Sequence, residues 1–483
     1  MHLQRVQVPD FRVLKDVDIT FEKDFNPRVF PLGSQNGGGK STLLQLIFIL
    51  LHCSANPERH FAIKNLLSGF TLRKDENQRI LAIIDIWHEK EIVQLEFFIC
   101  KENYIYQSLN YKHEDLEIEN INFGIFTELK DIQEEISGFS RQETTLKNII
   151  SQIENRQTSS NPYKKFPDHL KTELLSLEID FESIDIDFSD INFLTKFEKE
   201  AKIKLHNNHI KISSYYAHLS KITENLLNFL RSHNIEYITN CDIDDTYSIK
   251  NTVLLCKIKT LETSQLNNLL INISRKIFLA APTTQVFLFL SKSSKKSLFK
   301  KNVDYYSDLL GVQNKLTGLF TYNFFATNIL ISAFAKARDK DFKEALKTGE
   351  YGNNYKKLLQ DLDFLTQDKQ VNITPDFSGI TFKRNRFVDE VELEPEDLSH
   401  GELKRLNIYI WLKYNDIEDA IVLMDEVDLA LHPDWQYQIV SDLLAWEPSN
   451  QYILATHSYE LCQALTPSHV KVLEPKLTER CSD

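Results

Sequence analysis

Residues 31–44 read PLGSQNGGGKSTLL, and no other stretch restricts the fold as much. Three glycines in a row are placed where a backbone must turn tightly and bring its amides close to something. The flanks say which kind of turn. Arg28 to Leu32 reads as a short strand, and a helix from Ser41 is apolar from Leu43 through Leu51, interrupted by Gln45, as in a buried core helix. A strand, a glycine loop and a helix opening on that loop form a cradle for phosphate, because loop amides and the helix N-terminus both favour negative charge. Gln35, Asn36, Gly37, Gly38 and Gly39 supply the loop, Lys40 a charge for the outer phosphates, and the hydroxyl of Ser41, followed by Thr42, a ligand for Mg²⁺. Such loops expect glycine where Ser34 stands, and here Gly33 comes one place early, so the opening turn should differ.

Three further motifs stand at element ends. Ala420 to Met424 is a continuous apolar run suited to a buried parallel strand, and it ends on Asp425 and Glu426. Ligands bind at that end of such sheets, so Asp425 is expected to reach Mg²⁺ through water and Glu426 to polarise an attacking water. LSHGELKRL, residues 398–406, holds an S-x-x-E capping box between Ser399 and Glu402, with Gly401 leaving room for a phosphate. QYILATHSYEL, residues 451–461, is a buried strand ending in Thr456 and His457, the latter placed to meet a γ-phosphate or the attacking water.

The rest of the chain bounds the possibilities. At 483 residues it can hold two or three compact units. A net charge of −13 argues against a dedicated non-specific DNA binder, although the lysines at 292, 295, 296, 300 and 301 form a local basic run, read first as a solvated face. Cys53, Cys100, Cys241, Cys256, Cys462 and Cys481 lie far apart with no CxxC, which fits a reducing cytoplasm better than a disulfide framework. No signal peptide is legible, and no run approaches the roughly 20 apolar residues of a spanning helix. Strands are expected around Val17–Phe21, Leu81–Trp87 and Ile92–Cys100. Residues 126–157 carry Leu129, Ile132, Ile136, Phe139, Leu146, Ile150 and Ile153 at spacings of three and four, a short amphipathic helix with Glu143 in its seam and Gly138 weakening it. Residues 177–188 alternate apolar and acidic positions like a protected sheet edge. Residues 261–368 read as mostly helical, and strand-and-helix texture returns from Val371.

NGGGKST, LSHGE, LMDE and ATHS resemble the Walker A, signature, Walker B and His-switch motifs of ABC-type ATPases, over roughly residues 1–100 and 371–475. VDLALHP is similar to the D-loop region of the overcoming-lysogenisation-defect (OLD) group of stand-alone ATPases. The resemblance implies an α/β fold: a split ABC-type P-loop head with a large, mostly helical insertion. Residues 1–100 would be the N-terminal lobe, 101–370 the insertion making partner or dimer contacts, and 371–483 the C-terminal lobe. It further implies ATP with Mg²⁺, and a homodimer or higher oligomer in which Ser399, Gly401 and Glu402 of one head face the nucleotide on Lys40 of another. Asp428 would sit at that junction. Gln78 and Gln94 are the candidates for the glutamine of the Q-loop.

A narrower resemblance is to the PtuA-like ATPase subunits of Septu-type antiphage systems, including retron-linked copies. It rests on the split head, the size of the insertion and the short stretch after His457. It implies a cytoplasmic ATPase, not itself a nuclease, that regulates a separate HNH-type, PtuB-like nuclease. Nucleic acid or a retron reverse transcriptase with its DNA would be further partners, and the membrane none. The alternative is a DNA-repair clamp of the RecF and SMC kind, acting on DNA directly.

Overall fold

The computed structural model describes residues 1–35, 37–73, 76–101, 191–241, 252–259, 266–286, 289–290, 311–322, 326–366, 369–384 apart from 375 and 378, 391–473, and helical stretches between 136 and 151. Asn36, the acidic alternation at 177–188, the lysine run at 292–301, Cys481, and Leu129, Ile132 and Ile153 of the expected amphipathic helix lie outside the described residues.

The chain forms two compact units, residues 1–101 with 233–483, and residues 102–232. The first unit holds a parallel and an antiparallel sheet sharing one core. The antiparallel sheet contains β1 (His2–Phe11), β2 (Leu14–Thr20), β4 (Gln78–His88), β5 (Glu91–Lys101), β6 (Ile235–Asn240) and β7 (Thr252–Lys259), in the order β2-β1-β4-β5-β7-β6. The parallel sheet contains β3 (Val29–Gly33), β8 (Ile277–Ala281), β9 (Leu319–Thr321), β13 (Ile421–Asp425), β14 (Gln451–Ala455) and β15 (Lys471–Val472), in the order β15-β3-β14-β13-β8-β9. A small antiparallel sheet joins β10 (Lys369–Ile373), β11 (Ile380–Arg384) and β12 (Val391–Leu393).

Helix α1 (Lys40–Cys53) is buried along its length except at Ser41 and Thr42, its side chains belong to the core shared by the two sheets, and α2 (His60–Leu67) and α4 (Leu266–Arg275) pack against it. A helix buried on every side carries apolar residues all round, which is why its sequence shows no polar stripe. Strands buried on both faces likewise read as continuous apolar runs. Ile421, Leu423, Ile453 and Ala455 face the α1 core. Val422, Met424, Tyr452 and Leu454 face a second core, closed by α5 (Ala326–Thr348), α6 (Asn354–Thr366), α7 (His400–Tyr414) and α8 (Pro433–Trp446). Gln451 ties the sheets together: its Oε1 accepts from Leu3 N at 2.7 Å and its Nε2 donates to Leu3 O at 2.9 Å.

The second unit contains α3 (Ile191–Ser232), a helix of 42 residues and so roughly 63 Å long. The described part of the expected amphipathic helix lies along it. Phe139 stacks on Tyr215, Gln142 accepts from Asn208 and Glu143 faces His209, pairings that run in opposite directions.

The expected boundary at 370 is corrected. Residues from 233 onward belong to the first unit, where β6 and β7 extend one sheet and β8 and β9 the other. Five-residue and three-residue buried strands have too little length to show a period. No helix among the described residues is long and apolar enough to cross a membrane.

Candidate functional site

The glycine loop leaves β3 at Gly33 and enters α1 at Lys40. Gly37 and Gly39 have φ of 82° and 90°, the left-handed region that glycine enters without steric cost. A Cβ on Gly39 would lie 2.6 Å from Leu14 Cδ2 and 3.0 Å from Val13 Cγ2, so the β1–β2 turn packs directly on the loop. Ser34, the departure from pattern, has a local role. Its hydroxyl donates to Gln35 O and accepts from Lys40 Nζ at 3.1 Å, and a Cβ on Gly38 would stand 2.3 Å from it. Burial pushes the Lys40 ammonium below its usual range, opposed by the charges of Asp425, Asp428 and Glu426.

Across 384 residues the second motif arrives at the first. Ser41 Oγ donates to Asp425 Oδ1 at 3.0 Å. The register explains it: β13 and β3 flank β14 in a parallel sheet, so Asp425 ends its strand at the edge where the loop begins. Burial pushes the Asp425 carboxyl up to about 6, with Glu426 and Asp428 adding to the rise and Ser41 and Lys40 opposing it. Its Oδ2 and the Oδ1 of Asp428 are buried without a hydrogen-bond partner. A buried carboxylate oxygen left unpaired is costly, and a cation satisfies it. Ser41 and Asp425 therefore fit Mg²⁺, which takes one or two hard protein oxygens and completes its shell from phosphate and water. Among the described residues no cluster of three His, Cys, Asp or Glu could hold a metal alone.

Glu426 follows with φ 50° and Ala430 with φ 66°, conformations that non-glycine residues rarely adopt and that concentrate where function requires strain. His457 is exposed just past β14.

The signature segment forms the expected capped helix. Ser399 Oγ accepts from Glu402 N, and Glu402 Oε2 accepts from Ser399 N at 2.9 Å. Ser399 and His400 stand exposed at its start. Two residues of the segment also make close contacts within the chain. Gly401 is buried, and a Cβ there would lie 2.9 Å from Ala430 O and 3.0 Å from Trp435 Cζ3, so the close approach it permits within the chain is to the loop after β13. Glu402 is engaged at both oxygens, Oε2 by Ser399 and Oε1 by Lys369 Nζ at 2.5 Å. Burial alone would raise its carboxyl, but the Lys369 and Ser399 hydrogen bonds bring it below its usual range.

Neither glutamine proposed for the Q-loop lies at this edge. Gln78 begins β4 on the antiparallel sheet, and Gln94 on β5 donates to Asp85 at 2.9 Å. Gln285, just after β8 and therefore off the same sheet edge as Asp425, accepts from Gln45 of α1. Its only sequence signal is IFLAAPTTQ, a short apolar run before a turn. Two more residues were missed. Lys404 Nζ donates to Glu426 O at 2.7 Å and Leu429 O at 3.0 Å. Gln436 Nε2 donates to Asp428 O and Leu431 O, while its Oε1 accepts from Ser458 Oγ at 2.7 Å.

The family described as "AAA domain, putative AbiEii toxin, Type IV TA system" matches residues 268–463. "Retron Ec83 probable ATPase" of Escherichia coli is 28% identical over 152 residues, 28% of this chain and 28% of that protein. "Retron Vc95 probable ATPase" of Vibrio cholerae serotype O1 biovar El Tor is 44% identical over 54 residues, 11% of this chain and 10% of that one. The chain thus matches well under two thirds of either relative's length. Among solved structures, the SmcHead bound to the C-winged helix domain of ScpA aligns at TM-score 0.35 and 10% identity, over 96% of this chain and 92% of the other. The Smc head with an extended coiled coil from Pyrococcus furiosus aligns at 0.31 and 11%, over 96% and 91%.

Proposed function

We propose that this chain binds and hydrolyses Mg-ATP at the loop around Lys40, as the ATPase subunit of a bacterial antiphage complex whose nuclease is a separate polypeptide. One observation carries the ATPase reading: Ser41 and Asp425, from motifs at opposite ends of the chain, meet at 3.0 Å with an unpaired carboxylate oxygen beside them. The matched relatives, each named a retron "probable ATPase", support the setting.

The loop amides and Lys40 would hold the phosphates, and Glu426 would accept a hydrogen bond from the attacking water. Ser41 and Asp425 would hold Mg²⁺, whose charge offsets that developing on the transferred phosphoryl group. Gln285 takes the place of the Q-loop glutamine. His457 and Ser399, exposed on their segments, are free to meet a nucleotide shared with a second head, with Asp428 near that junction. Pairing of heads would then restrain or license an HNH-type, PtuB-like nuclease.

A test of shared sites mixes Ser399→Arg with Lys40→Ala, each expected to be inactive alone. One interface of the hybrid keeps an intact loop and an intact Ser399, so partial recovery of turnover is expected; none from demonstrably mixed dimers defeats the shared site. Purified chain incubated with plasmid DNA, Mg²⁺ or Mn²⁺ and ATP should leave the DNA intact. Cutting that a point mutant of this chain removes would favour a chain acting on DNA directly, the second reading, which the long α3 keeps in play.

A further inference from the structure

We infer that Lys404 is a positioning residue: from the signature helix it fixes the loop after Asp425 and so aims Glu426. The inference deepens the ATPase reading and rests on it. Lys404 is 7% exposed, yet among the described residues it forms no ion pair. Its ammonium is spent on two backbone carbonyls, Glu426 O and Leu429 O, and lies 4.1 Å over the Tyr322 ring. Burying an ammonium is costly, and a methionine would fill such a position for stability alone. Burial brings the Lys404 ammonium down to about 8, with Asp428, Glu426 and Asp425 supporting its charge.

Of the two anchored residues Glu426 is strained, and Leu429 directly precedes the second strained position, Ala430. Glu426 and Ala430 both have positive φ, and a loop in that state persists only where its surroundings over-determine it. Gln436 holds the carbonyls of Asp428 and Leu431, so two side chains from two helices grip alternate points of one loop. Lys404 is the one borne by the helix that begins at Ser399, five residues upstream on the same rigid element. Beside it lies a cavity of about 200 Å³ lined by Thr283, Tyr322, Leu403, Leu429 and Ala430, room enough for a larger cationic head.

The test compares Lys404→Met with Lys404→Arg. Methionine keeps the stem and loses the donors, and should lower kcat for Mg-ATP at least about tenfold while leaving KM within about threefold. Arginine, which retains donors and has space, should recover most of kcat. Hydrogen exchange of the amides of residues 426–431, in nucleotide-free protein, should speed up in the methionine variant and stay near wild type in the arginine variant. Unchanged kcat with unchanged exchange in Lys404→Met overturns the inference, as does an equal loss in both variants with the fold intact. If Lys404→Met does not fold, Lys404→Gln is read by the same two measurements. If wild-type protein shows no turnover that Lys40→Ala removes, the ATPase reading has failed, and the exchange data alone decide whether Lys404 anchors the loop.

Discussion

The two ends of the parallel sheet are built to opposite standards. Where its strands begin, His52 and Arg59 have partners for their polar atoms. His52, at the end of α1, has Nδ1 at 2.8 Å from Ser274 O and Nε2 accepting from Gly318 N at 3.2 Å, with its ring stacked on Phe48. Arg59 donates to His52 O, Lys315 O and Thr317 Oγ1. Where the strands end, buried oxygens of Asp425 and Asp428 have no partner and the backbone turns through strained angles at Glu426 and Ala430. The arrangement around His52 is satisfied and adds stability. The other end leaves buried acceptors unpaired, at a cost to the free protein.

The comparison predicts what each end loses when altered. Glu426→Gln should leave nucleotide binding near wild type and lower turnover by a factor on the order of 10² to 10⁴, the usual share of a positioned base. Fluorescent-nucleotide binding beside phosphate release checks this, and native turnover would move the water-polarising role elsewhere. His52→Ala should leave ATP affinity unchanged but cost about 3 kcal/mol in urea unfolding, because Ser274 O and Gly318 N lose their partner and Phe48 its stacked ring.

His52 also sets a pH dependence. Burial lowers its pKa from the ordinary 6.5 to about 4, so between these values the unfolded chain binds a proton that the folded chain does not. Its contribution is intact above pH 6.5 and falls as pH drops toward 4, so the His52 contribution at pH 5 should be about 2 kcal/mol below that at pH 7, read as the difference between wild type and His52→Gln. His52→Gln should flatten that slope. The smallest effect has the opposite sign. Asp425→Asn should abolish Mg²⁺-dependent turnover yet raise the unfolding free energy of the nucleotide-free protein by about 1 kcal/mol or more, since the folded state no longer buries a charge it disfavours. A loss of stability there would mean that this end is as structurally satisfied as the other.

Much of the site was legible because its signals are local. The glycine loop, the S-x-x-E box at Ser399 and the apolar strand ending at Asp425 each depend on residues a few positions apart, and the structure forms each element where the spacing put it. What Gly401 and Glu402 touch within the chain was not legible for the same reason. A missing side chain and a carboxylate look alike in sequence whether they face a phosphate or the protein's own Ala430 and Lys369. Gln285, Lys404 and Gln436 gave almost no signal, since what marks them is the group they touch.

The amino-acid order determined that a strand, a glycine turn and a helix would follow one another at residues 29–53, because neighbouring dihedrals, caps and burial periods are set within a turn or two of chain. Tertiary structure alone decided that Ser41 meets Asp425, that β6 and β7 extend one sheet and β8 and β9 the other, and that Lys404 grips the loop beside Glu426. Those contacts arise from parallel strand order and from which faces two sheets can bury together, and strand order leaves no mark on the residues that lie next to one another along the chain.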